Sequence, residues 1–88
     1  MVATTAYTNL VQALGAIRAS GGFTTTQAAE VKLYIELGRY ELDQWKAAID
    51  VGKATGQPVD TTQIVAEFQQ TLMKMQTARI AAERKAVQ

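Results

Sequence analysis

Seven positions separated by alternating steps of four and three, Val31, Ile35, Gly38, Leu42, Trp45, Ile49 and Gly52, run as one seam through the middle of this chain. A strand would alternate its faces every second residue, whereas a sustained 3.5-residue period marks a helix lying nearly along another helix. The seam therefore demands a second long helix to receive it. Ahead of it, Thr24 and Gln27 stand at the spacing of a capping box, which satisfies exposed amide donors where a helix begins. The predicted long helix runs from about residue 25 to 53.

The partner follows at once. In Ala54-Thr55-Gly56-Gln57-Pro58-Val59-Asp60, Gly56 suits the end of one helix, Pro58 cannot continue it, and Asp60 with Gln63 can cap the next. A turn this short returns the chain antiparallel. The next helix is predicted over about 61–85, with Ile64, Val65, Phe68, Leu72, Met75, Ala82 and Ala86 on its main face. A shorter helix, about 6–19, precedes the pair, with Tyr7, Leu10, Leu14 and Ile17 in register and Ser20-Gly21-Gly22 as its stop. The expected fold is all-α: a long antiparallel helical hairpin with a shorter N-terminal helix, bundle-like, in a single domain whose residues 1–5 and 86–88 are expected to be loose. The Ser20-Gly21-Gly22 link leaves open whether the first helix packs on its own hairpin or on a neighbour's.

The long central helix carries two further rows. Lys32, Glu36, Arg39, Asp43, Lys46, Asp50 and Lys53 alternate in sign, each with an opposite charge one turn away, which predicts a face in water. Leu33, Leu37, Tyr40, Ala47 and Val51 fall on a separate apolar strip, roughly opposite the seam. In the last helix Met73, Ile80 and Val87 recur every seven residues, well off the main face. A chain of 88 residues buries only about 60–65% of the surface that its unfolded form exposes, so partner surfaces would help it. Helices apolar on two sides in so small a chain point to association. Leu33, Leu37, Tyr40, Met73, Ile80 and Val87 are the residues expected at a protein interface, in a homo-oligomer or docked on a larger assembly.

Chemistry is harder to place. The chain has no cysteine and no histidine, which removes disulfides, thiolate metal sites, cysteine nucleophiles and the commonest general base. Glu30, Glu36, Glu41, Asp43 and Asp50 supply carboxylates, but mostly in the solvated charge row and without the spacing of a calcium loop. Gly21-Gly22 lacks the glycines and lysine of a phosphate-binding loop. No catalytic residue, cofactor or metal site is expected. Trp45, Tyr7, Tyr34 and Tyr40 read as packing residues, the tyrosines buried with their hydroxyls reaching water. Gly38 reads as a point of close helix approach, and Gly52 as the beginning of a helix end.

The one electrostatic asymmetry lies between Lys74 and Gln88, where Lys74, Arg79, Arg84 and Lys85 stand against Glu83. Basic residues complement the dipole at a helix C-terminus. They are also the residues with which an acidic partner or a nucleic acid would be met, and a small nucleic-acid-binding or regulatory module is the alternative to an assembly subunit. The N-terminal apolar stretch Leu10, Val11, Ala13 and Leu14 is short, broken by Gln12 and preceded by no basic region, so neither a signal peptide nor a membrane anchor is expected. The expected location is the cytoplasm, or a virion if the protein is viral. Rich in Thr, Ala and Gln and free of cysteine, the chain resembles in style many small bacteriophage virion and assembly proteins. Two families of helical hairpin are not matched. Type III secretion needle subunits carry a Pro-rich turn signature unlike Gly56-Gln57-Pro58-Val59, and small secreted hairpins turn on Trp-x-Gly, whereas Lys46-Ala47 follow Trp45.

Overall fold

Three helices account for most of the described residues: α1 (Val2–Ala19), α2 (Thr25–Thr55) and α3 (Thr62–Val87). The structure is a computed structural model and describes residues 2–87; Met1 and Gln88, expected among the loose ends, lie outside the described residues. Among the described residues there is no strand, and the helices pack on one another as a bundle drawn out into a rod of 53 × 20 × 18 Å. The all-α hairpin with an N-terminal helix is as the periodicity predicts.

Its boundaries differ at the ends. α1 begins at Val2 rather than near Ala6, because Ala3 extends the Tyr7–Leu10–Leu14 row by one more step of four and packs against the core. α3 continues through Ala86 and Val87, its last turn holding Arg84 and Lys85, whose charge suits a helix C-terminus. α2 runs two residues beyond Lys53, and Gly56 closes it in the left-handed conformation at φ 69°.

Each connection is fixed by local chemistry. After α1, the Gly22 amide donates to the Ile17 carbonyl and the Gly21 amide to that of Arg18, with Gly21 left-handed at φ 76°. This is a Schellman closure, and a Cβ on Gly22 would meet Ile17 Cγ2 at 2.6 Å. Two residues on, the capping box forms: the Gln27 amide donates to Thr24 Oγ1 at 3.1 Å and the Thr24 amide to Gln27 Oε1 at 3.0 Å. Phe23, between the two caps, packs on the core. The link is thus an ordered turn, and α1 folds onto its own hairpin.

At the other turn the expected pairing of Asp60 with Gln63 is not made. α3 begins at Thr62, the Val65 amide donates to the Thr61 carbonyl, and Asp60 stands one position outside, accepting from the Thr62 amide at 3.0 Å. The Gln63 side chain donates instead from Nε2 to Glu67 Oε1. Gly52 has a packing role: a Cβ there would stand 3.2 Å from the Gln57 carbonyl oxygen, so the returning turn lies against it.

The core is a plug across the middle of the rod. Tyr7, Leu10 and Leu14 from α1, Val31 and Leu42 from α2, and Phe68 and Met75 from α3 are buried, with Trp45, Ile35 and Leu72 half-buried around them. The Phe68 ring is central, with Tyr7 at 6.2 Å on one side and Trp45 edge-on at 6.0 Å on the other. From 43 to 67 no residue is buried. α1 explains this: it meets α2 at Tyr7 over Gly38, and the five residues from there to Val2 reach only about 7 Å further towards the turn.

Candidate interaction surfaces

The interior holds one polar pair that periodicity did not single out. Glu41 and Thr71 are both buried, and the Thr71 hydroxyl hydrogen-bonds to Glu41 Oε1 from across the hairpin, with the Glu67 carbonyl also in reach at 3.1 Å. Thr71 stands between Phe68 and Met75 at steps of three and four, and Glu41 stands three residues after Gly38. Both lie on buried faces by spacing alone, but neither is apolar, so neither registers in the apolar pattern. A buried carboxylate is tolerated only where it is hydrogen-bonded, and this bond ties α2 to α3 in one register.

The three tyrosines part company. Tyr7 is buried, yet its hydroxyl turns inwards and donates to the Ile35 carbonyl at 2.6 Å. Burial raises its pKa above 10.0, with Arg39 opposing and Asp43 reinforcing the shift. Tyr34 is half-buried beneath the Lys74 ammonium, 5.9 Å from the ring centre. Tyr40 is not buried at all; it is 62% exposed, because α2 turns it away from both neighbours.

All six residues expected at an interface are exposed, led by Leu33 at 63%, Met73 at 66% and Val87 at 88%. They do not converge. On α2, Leu33, Leu37 and Tyr40 continue into Gln44, Ala47 and Val51, all exposed, in steps of four, three, four, three and four. This is a second heptad seam, turned roughly 100–180° from Gly38 at 100° per residue. On α3, Met73, Ile80 and Val87 stand roughly 160–180° from Thr71, the residue that meets α2. The two strips therefore face different sides of the rod.

The edges of the strips differ in charge. Glu36, Asp43 and Asp50 are exposed and immediately precede Leu37, Gln44 and Val51, so one edge of the α2 strip is acidic. Their basic counterparts Lys32, Arg39 and Lys46 stand further round the helix. Among the described residues the one side-chain ion pair is Arg79–Glu83 at 2.9 Å, so the alternating row of α2 forms no direct pair. Of the four basic residues near the C-terminus, Arg79 is tied to Glu83 and Lys74 stands over Tyr34, which leaves Arg84 and Lys85 facing outwards. Arg84 lies between Ile80 and Val87, on the edge of the α3 strip.

The remaining surface holds shallow grooves, one along Tyr34, Gln70, Met73 and Thr77 and another beneath the α2–α3 turn at Ile49, Gly52 and Val59. Neither brings carboxylates together. Among the described residues no group of three acidic, histidine or cysteine side chains gathers where a metal could be held, and no helix is long and apolar enough to cross a membrane. No protein-family model, curated protein or solved structure matches the chain.

Proposed function

We propose that this protein is a non-enzymatic assembly subunit that works through helix–helix contacts with other protein chains, of the kind found among small bacteriophage virion and assembly components. The observation that carries the reading is the exposed heptad seam on α2, Leu33, Leu37, Tyr40, Ala47 and Val51, in a chain whose first seam is already occupied by α1 and α3. Monomers expose isolated apolar residues freely, but a strip with coiled-coil spacing has the form of a helix-docking site. The virion assignment rests on the style of the sequence. With it go residence in the cytoplasm or in the particle and partners that are proteins.

The test is solution mass by light scattering over about a tenfold concentration range, for the wild type and for a Leu37→Asp, Ile80→Asp double variant. A discrete or growing assembly in the wild type that the double variant reduces to a folded monomer supports the reading. A wild-type monomer indifferent to the substitutions counts against it and directs attention to Arg84 and Lys85 as a site for an acidic partner.

A further inference from the structure

We infer that the occupant of the α2 strip is the α3 strip of a second copy of this chain, so that copies join head to tail rather than as two-fold pairs. The inference rests on the assembly reading above and specifies its partner and symmetry. Three observations carry it. The strips share one period: Leu33, Tyr40 and Ala47 recur every seven residues, as do Leu37, Gln44 and Val51, and so do Met73, Ile80 and Val87. Helices whose apolar positions repeat every seven residues can pack nearly in line over several turns.

The edges are complementary in charge. Glu36, Asp43 and Asp50 border the α2 strip, none of them in an ion pair among the described residues, whereas Arg84 borders the α3 strip, where the one acidic neighbour, Glu83, is already tied to Arg79. Two α2 strips packed antiparallel about a two-fold axis would instead set acidic edge against acidic edge, an arrangement that repels. A parallel α2 pair would meet the other edge of the strip, which Glu41 and Tyr34 already commit to α3.

The third observation is direction. Because the strips face different sides of the rod, a copy whose α2 strip is filled still presents its α3 strip. A contact between unlike surfaces propagates, closing into a ring if the rotation permits and otherwise extending into a filament.

Complementation tests this. Leu37→Asp disables one strip and Ile80→Asp the other, and both sites are exposed, so circular dichroism should report an unchanged helical content. The pair Leu33→Asp and Met73→Asp, at more exposed positions, repeats the test should either of the first two fold poorly. Head-to-tail joining predicts a wild type whose mass exceeds a dimer, two monomeric single variants, and, on mixing them, a species of twice the 9.5 kDa chain mass that grows no further. A single variant that keeps the wild-type mass would overturn head-to-tail joining while leaving the assembly reading intact, since a two-fold contact needs only one strip. A mixture that stays monomeric beside an associating wild type would overturn it equally. A wild type monomeric throughout the range would overturn it too, and the assembly reading would survive only as docking on a different protein.

Discussion

The ring of Tyr7 lies against the backbone of Gly38, so close that a Cβ on that glycine would meet Tyr7 Cε2 at 2.9 Å and Thr71 Cγ2 at 3.4 Å. The ring cannot easily retreat, because its hydroxyl is bound to the Ile35 carbonyl and Phe68 stands alongside it. Gly38→Ala should therefore cost about 1–2 kcal/mol in denaturant unfolding, overpacking outweighing the roughly 1 kcal/mol that alanine contributes to a helix. Gly15 has open space around it, and Gly15→Ala should stabilise by up to about 1 kcal/mol. The opposite signs of the two substitutions are the prediction.

Tyr7→Phe should cost about 0.5–1.5 kcal/mol at neutral pH, the net worth of one intramolecular hydrogen bond. It should also change the alkaline limb. Burial raises the phenol's pKa in the folded state, so its contribution is complete below the ordinary value of 10.0 and is lost as pH rises through the higher folded value. Unfolding followed from pH 8 to 12 should show that loss in the wild type and a shallower one in Tyr7→Phe.

Thr71→Val removes the donor that Glu41 meets inside the bundle and should cost about 1–3 kcal/mol. Glu41→Gln, which keeps an acceptor at the same place, should cost less. Replacing both partners, Glu41→Leu with Thr71→Val, should cost less than the sum of the two single changes, and a double-mutant cycle in thermal unfolding measures the coupling. Strict additivity would mean that the two side chains act independently.

The legible part of this fold was the part written in apolar residues. The α2 seam and the Thr24–Gln27 cap could be placed from spacing, as could Gly38 as a point of close approach, because each depends on one residue type at one interval. What escaped depended on pairing between distant segments. Glu41 and Thr71 are polar singly and compatible with the core only together, and no window around either reveals the other. The start of α1 is not legible in the sequence because Ala3 is too small to register as a core residue until its neighbours are known. The two strips were visible as exposed apolar rows; that they face different sides of the rod needed the packing of α3 on α2.

Asp60 accepts from the Thr62 amide just ahead of α3, and that backbone bond, with the Thr62 side chain assisting, holds its carboxyl below the ordinary 3.8. Its contribution to stability is present above that value and is lost as pH falls through the lower folded one. Asp60→Asn keeps an acceptor but has no charge to lose. Between pH 5 and 2 the variant should show a shallower fall in stability than the wild type, read by circular dichroism during acid titration.

The placement of the core has a dynamic consequence. Residues 43–67, which hold the whole α2–α3 turn and the adjoining helical ends, contribute no fully buried side chain and lie beyond the reach of α1. Local opening costs least where the fewest packed side chains must separate, so the hairpin should breathe from its closed tip, as a clothes-peg pinched near one end parts at the other. Amide hydrogens around Ile49 and Ile64 would then exchange well before those of Leu42 and Met75, although all four sit in unbroken helix.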